Sequence, residues 1–241
     1  MIIENIEKKI ILSLFGESRE EILLNAKELT KTSVEIIEWR LDYYKDFEDI
    51  NKVCELAKIL KKILNKKIFL ITLRSQNQGG RAKYDQIFFK KFVENISNKK
   101  FLDIIDVEYS MPKDFKNEIL SIIHDKGLPA LSSYHDFEKT PDTNFMLEIL
   151  TNMDTSGFDI LKLVTRAENF EDSLKILNVC NTYREKTQKK LILMAMGDFG
   201  KVTRIANLLF GSDYTFSFIS ENLADGQIPY KKMLRIYDEI L

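Results

Sequence analysis

The chain has 241 residues, 44% of them hydrophobic, and its 36 Lys+Arg stand against 37 Asp+Glu for a net charge of −1. That is enough apolar material for one sizeable core, and the charge balance excludes wholesale attraction to nucleic acid or to an anionic membrane. Basic pairs such as Lys61-Lys62, Lys90-Lys91 and Lys99-Lys100 lie among acidic residues and read as solvated faces and turns.

Short apolar, β-branched runs recur along the chain: KIILSLFG (9–16), VEIIEWRLD (34–42), KIFLITLRS (67–75), FLDIIDVEYS (101–110), LPALSSYHDF (128–137), DILKLVTRA (159–167), KLILMAMGD (190–198) and YTFSFIS (214–220). Successive starts are roughly 25 to 35 residues apart, the length of a strand, a helix and two short loops. The intervals carry helical periodicity. Ser18-Arg19-Glu20-Glu21 is a capping box that opens a helix through Leu29. Pro141 precedes a helix with the stripe Phe145, Met146, Ile149, Leu150 and Met153. Asn169 caps one carrying Phe170, Leu174, Leu177 and Cys180. No Pro/Gly/Ser-rich linker divides the chain. The pattern predicts an α/β protein, a single-domain (β/α)8 TIM barrel over residues 1–241. A doubly wound open sheet fits less well, because the first strand is followed only by Gly16 and not by a glycine-rich turn.

Cys54 and Cys180 lack metal or redox spacing, which predicts two buried thiols in a reducing compartment. The opening MIIENIEKKIILSLFG is interrupted by Glu4 and Glu7 and shows no cleavage pattern. No stretch approaches the ~20 apolar residues of a membrane span, so a cytoplasmic protein with no membrane partner is expected.

Strands buried on both faces should be almost wholly apolar, yet these carry polar groups toward their carboxyl ends, where barrel sites form. Residues two apart share a face. Ser13 lies on the first strand, Glu38 and Arg40 pair on the second, Thr72 and Arg74 on the third, Asp106 and Glu108 on the fourth, Ser133 and His135 on the fifth, and Met194 and Met196 on the seventh. Isolated buried charge is costly, so these groups must meet one another or a ligand. Arg40 with Glu38 or Asp42 can equally form an ion pair that serves only the fold, and Asp106 and Glu108 read better as orienting groups than as catalysts. His135, one of 2 histidines, stands beside the loop acid Asp136. Lys162 is the sharpest signal. Flanked by Ile160, Leu161, Leu163 and Val164, it would lose solvation, which favours a neutral, nucleophilic amine of the kind imine formation requires. The bland alternative is a lysine that snorkels from the strand end. Two histidines and no cysteine cluster argue against a metal site.

The segments EWRLD (38–42), TLRSQNQGG (72–80), IDVE (105–108), SSYHDF (132–137), ILKLV (160–164), MAMGDFGKVTR (194–204), FGSDYTFSF (210–218) and ADGQIP (224–229) together resemble the type I 3-dehydroquinate dehydratases. The match runs in order from Ser13 to Gln227. It implies dehydration of 3-dehydroquinate to 3-dehydroshikimate by syn elimination, with no metal and no organic cofactor, in a homodimer. By the same resemblance Lys162 forms a Schiff base with the substrate ketone, and His135 is general acid and base. Arg204 and Gln227 hold the substrate carboxylate, and Glu38, Arg40 and Arg74 hold ring hydroxyls. Ser13, Met194, Met196, Phe216 and Ala224 line the pocket, with Asp106 and Glu108 in support, and the segment from Asn222 to Pro229 closes over substrate. Two positions depart from the pattern. Gln78 stands where relatives often carry a glutamate that orients the histidine, and Leu223 where some carry a substrate-contacting serine.

Two other functions share part of this pattern. A Schiff-base aldolase of phosphorylated sugars would need a glycine cluster after strands seven and eight, where this chain has only Gly197 and Gly211. A ligand-binding barrel without catalysis would keep the pocket, and Gln78 and Leu223 are its only support.

Overall fold

The computed structural model describes residues 10–219 and 224–240. Strands and helices alternate: β1 (Ile10–Leu14), α1 (Arg19–Thr30), β2 (Ile36–Arg40), α2 (Ile50–Leu64), β3 (Ile68–Thr72), α3 (Gln86–Ile96), β4 (Ile104–Glu108), α4 (Lys113–Asp125), β5 (Ala130–His135), α5 (Thr143–Thr155), β6 (Ile160–Arg166), α6 (Phe170–Arg184), β7 (Lys190–Met196), α7 (Lys201–Ala206), β8 (Thr215–Ser217) and α8 (Tyr230–Ile240). The strands form one 8-stranded sheet in the order β7-β6-β5-β4-β3-β2-β1-β8, and the fold is a (β/α)8 barrel.

Helix starts are written in short polar side chains. Ser18 Oγ accepts the Glu21 N–H at 3.2 Å. Glu21 returns a carboxylate oxygen to the Glu17 N–H at 2.8 Å, one residue earlier than an ordinary capping box. Asp49, Asp85, Asp142 and Asn169 accept from the third residue beyond in the same way, each cap contributing about 1 kcal/mol.

The described residues divide into two compact units. In the first, residues 13–131, β2 pairs with β3 from Ile36↔Ile68 to Arg40↔Thr72, and Trp39 stacks on Phe69 with ring centroids 6.2 Å apart. In the second, residues 10–12 and 132–240, β6 pairs with β7 from Ile160↔Lys190 to Arg166↔Met196, and Ile10 pairs with Thr215. Strand residues of both are wholly buried, among them Ile37 and Phe69 in the first and Leu161, Leu163 and Leu193 in the second.

Three sequence expectations need correction. The eighth strand is shorter than the YTFSFIS run: it spans Thr215–Ser217, with Phe218 making only an isolated bridge to Pro229. Helix α6 does not bury Phe170 and Leu174, which are 66% and 60% exposed; its inner face is Ser173, Ile176, Leu177, Cys180 and Tyr183. Small Ser173 lets the helix approach, donating to the Phe199 carbonyl at 2.7 Å, and this rotation leaves Phe170 to pack edge-on against Phe199. Phe145 likewise lies outside the buried stripe of α5. Cys180 is buried, and burial pushes its thiol up to about 12, while Cys54 is only half-buried. No helix among the described residues is long and apolar enough to cross a membrane.

The turn from β7 into α7 is the tightest in the second unit. A Cβ on Gly200 would lie 2.4 Å from the Met196 carbonyl oxygen, and Thr203 Oγ1 bonds both the Gly200 carbonyl and the Ala195 N–H. Gly200→Ala is expected to destabilise the protein by about 1–3 kcal/mol, read as a lower urea midpoint; an unchanged midpoint would show that the turn yields freely.

Candidate active site

In the first unit the strand ends carry a buried, hydrogen-bonded charge network. Ser13 Oγ donates to Glu38 Oε2 at 2.9 Å. Thr72 Oγ1 lies 3.0 Å from Glu38 Oε1 and 3.3 Å from Asp106 Oδ2, so its single proton serves one carboxylate at a time. Arg74 pairs with Asp106 and with Glu108, the latter at 3.2 Å. Glu108 also accepts from the Ser75 N–H at 2.8 Å and the Ser75 hydroxyl at 2.7 Å. Burial works against the Arg74 charge, but Asp106 and Glu108 outweigh it and hold the guanidinium above its usual range. Glu38, Arg74, Asp106 and Glu108 are all at most 4% exposed.

Arg40 pairs with Asp42, two residues on. Its Nε and Nη2 bond the two oxygens of Asp42 at 2.8 and 2.9 Å, the fork geometry of a strong guanidinium–carboxylate pair. Burial lowers the Arg40 pKa and Asp42 raises it, and the pairing prevails. Gln78 closes the short turn Gln76–Gln78, with Gly79 next in the left-handed region at φ 73.

In the second unit Lys162 is 6% exposed. Its Nζ sits 4.0 Å from the centroid of the Phe216 ring, with Leu161, Leu163 and Val164 buried around it. The ring face offers a negative quadrupole to a cation and no competing hydrogen bond. The Asp136 N–H bonds the Val164 carbonyl at 2.9 Å, so the end of β5, with His135, lies level with the residue two beyond Lys162. The imidazole stacks on Phe137 at 5.9 Å and 16°. Asp136, adjacent in sequence, turns its carboxylate to the Glu138 and Lys139 N–H groups and shapes the loop. Met194 and Met196 are buried on β7.

Arg204 is the outlier. It is 1% exposed and has no carboxylate in ion-pair distance among the described residues. Nη1 meets the Met194 sulfur at 3.0 Å, Nη2 the Asp225 carbonyl at 3.4 Å, and Nε is buried with no acceptor. Burial lowers its pKa to about 10, against a small opposing effect of Tyr237. Its backbone is firmly held, since the Arg204 carbonyl accepts from Thr215 Oγ1 at 3.1 Å and Tyr237 OH at 2.6 Å. A guanidinium so placed suits an anion that arrives from solution.

The loop holding Ala224 and Gln227 packs on the end of β7. The Gly197 N–H bonds the Asp225 carbonyl at 3.3 Å, Arg166 pairs with the Asp225 carboxylate at 3.3 Å, and Gly226 (φ 77) has no room for a Cβ beside the Gly197 carbonyl. Leu223 and the start of the expected closing segment lie outside the described residues. Among the described residues no group of three or more His, Cys, Asp or Glu side chains could hold a metal ion. Sequence reasoning did not single out Tyr43, Arg81, Arg166 or Asp225. Partners such as Arg81 for Tyr43, Glu17 for Arg81 and Asp225 for Arg166 lie far off along the chain.

A barrel with charged and nucleophilic groups at its strand carboxyl ends is a barrel enzyme. The family described as type I 3-dehydroquinase matches residues 10–240, and the chain belongs to it, an enzyme of the hydro-lyase class. It is 30% identical over 226 residues to the 3-dehydroquinate dehydratase of Clostridioides difficile (strain 630), covering 93% of this chain and 89% of that one. It is 31% identical over 229 residues to that of Alkaliphilus oremlandii (strain OhILAs), covering 95% and 90%. Among solved structures it resembles the type I 3-dehydroquinate dehydratase from Clostridium difficile with covalently modified comenic acid, with TM-score 0.94, 29% identity and coverage of 99% and 94%. The 3-dehydroquinate dehydratase from Geobacillus kaustophilus HTA426 gives TM-score 0.93 at 27% identity, covering 99% and 93%.

Replacing the unmatched guanidinium by an apolar chain of similar length removes a desolvation cost. Arg204→Met is expected to stabilise the free protein by about 1–4 kcal/mol in urea unfolding. A comparable loss of stability would mean that Arg204 already has a counter-charge before any ligand binds.

Proposed function

We propose that this chain dehydrates 3-dehydroquinate to 3-dehydroshikimate through a Schiff base on Lys162. The observation that carries the mechanism is Lys162 itself: a lysine on the inner part of a barrel strand, among Leu161, Leu163 and Val164, with its amine against the Phe216 ring. An amine held at a strand end of the barrel, little exposed to bulk water, is the nucleophile that attack on a ketone calls for. The covalent modification present in the Clostridium difficile relative supports a reactive nucleophile in this family.

The amine attacks the C3 ketone and the resulting carbinolamine loses water to give an iminium. The iminium acidifies the C2 proton, which passes to His135 and leaves an enamine. Collapse of the enamine expels the C1 hydroxyl, protonated by the same imidazole, so that a water departs on the face from which the proton was taken. Hydrolysis of the iminium frees the product and restores the amine. An imidazole suits both roles because its ordinary pKa lies near neutrality. Arg204, buried without a carboxylate among the described residues, receives the substrate carboxylate, aided by Gln227. Ser13, Glu38, Arg40 and Arg74 match the ring hydroxyls, with Asp106 and Glu108 holding Arg74 in orientation. Phe216, Met194, Met196 and Ala224 supply apolar contact, and no metal or organic cofactor enters the reaction. We infer one catalytic domain, acting as a homodimer on a small-molecule substrate of the shikimate pathway in the cytoplasm.

Borohydride added with 3-dehydroquinate should leave a reduced adduct on Lys162, located by peptide mass mapping, and Lys162→Ala should abolish it along with turnover. An adduct elsewhere, or a wild-type rate in Lys162→Ala, defeats the mechanism. His135→Ala should still bind ligand while kcat falls by about 10²–10⁴, followed by enone absorbance; an unchanged kcat removes His135 from proton transfer.

A further inference from the structure

Asp42, Tyr43 and Arg81, grouped around Arg40 in the first unit, have no role in the chemistry above. The Asp42 side chain is fully buried, and its carboxylate collects donors from two loops: Nε and Nη2 of Arg40, and the main-chain N–H of Arg81 at 3.0 Å. The ring of the next residue, Tyr43, is met by two guanidinium groups. The Arg81 carbon is 4.0 Å from its ring centroid and the Arg40 carbon 5.1 Å. Phe15 packs on the same ring at 5.4 Å. Arg81 reaches on to Glu17 at 3.3 Å, whose carbonyl takes the Lys45 N–H at 3.0 Å. The loops after β1, β2 and β3 are thereby tied together through one carboxylate and one ring.

The loop that brings Arg81 there is itself rigid. The Gln76 N–H bonds the Ala82 carbonyl at 2.9 Å and the Gly80 N–H bonds the Ser75 carbonyl at 2.8 Å. A Cβ on Gly80 would stand 2.1 Å from the Arg74 carbonyl oxygen. The same loop carries Gln78 and continues directly from Arg74.

Consider what this does to Arg40. Asp42 neutralises its charge and fixes the guanidinium plane, and Tyr43 covers the group from one side. Among the described residues Nη1 has no protein acceptor. What remains is a donor of set direction within a neutral pair, suited to an uncharged hydroxyl and poorly suited to a carboxylate. Arg204 has the opposite character, a charge unmatched by any carboxylate among the described residues.

We propose that Asp42, Tyr43 and Arg81 are positioning residues that aim Arg40 at a ring hydroxyl of the substrate, with the Tyr43 ring, in contact with both guanidinium groups, as the element that sets the aim. The proposal rests on Arg40 being a substrate residue, as assigned above. None of the three touches the reacting atoms, so their effect falls on substrate affinity and leaves the rate of the chemical step alone.

Steady-state turnover of 3-dehydroquinate by the full chain separates the possibilities. Tyr43→Ala should raise KM about three- to tenfold with kcat within about twofold, and Tyr43→Phe, which keeps the ring face and loses only the hydroxyl, should restore the wild-type KM. Arg81→Lys keeps a charge toward Glu17 but has no plane to lay on the ring, and should raise KM as well. An unchanged KM in Tyr43→Ala overturns the proposal, and so does an equal loss of kcat in Tyr43→Ala and Tyr43→Phe. Absence of turnover and of a borohydride-trapped adduct in the wild type overturns the functional assignment, and the proposal with it, before any variant is compared.

Discussion

A guanidinium taken out of water must be met by oxygen, and the strand-end chemistry of this protein follows from how each buried arginine meets that requirement. Arg74 is matched twice over, by Asp106 and Glu108, with Ser75 filling the remaining acceptor capacity of Glu108. Arg40 is matched once, in a planar fork with Asp42. Arg204 is matched by no carboxylate among the described residues and has only a thioether and a carbonyl for company. Since removing a charge from water costs several kcal/mol unless it is paired, Arg204 carries the largest unmet cost of the three among the described residues.

The same economy governs the backbone that carries them. Arg204 cannot be held by its side chain alone, so its carbonyl is fixed by Thr215 and Tyr237, and its short helix is launched by a turn that tolerates no side chain at Gly200. The loop around Asp225 leans on that turn through Gly197 and Gly226. In the first unit Gly80 does the equivalent for Arg74, letting the loop fold back onto its carbonyl. At Arg204 rigid local geometry stands in for a salt bridge among the described residues, at some cost in stability.

Much of the fold was legible in the sequence because it depends on local rules. Short apolar, β-branched runs located the strands, and Ser18 and Asn169 marked helix starts that the structure caps as expected. The misplaced elements have physical causes that no local pattern contains. On α6 the apolar residues Phe170 and Leu174 suggested the buried face, yet the helix docks through Ser173 because its hydroxyl finds the Phe199 carbonyl. Asp136 looked like a partner for His135 by adjacency, but its carboxylate is spent on the N–H groups of Glu138 and Lys139.

The sequence by itself determined the succession of strands and helices, the polar residues at the strand ends, and the family, because each is encoded in residue type and spacing along the chain. Tertiary structure alone decided which charge meets which. That Tyr43 meets Arg81, that Arg74 meets Asp106 and Glu108, and that Arg204 is buried without a carboxylate among the described residues all depend on segments far apart in sequence. Electrostatic energy varies with distance and burial, and neither exists until the chain has folded.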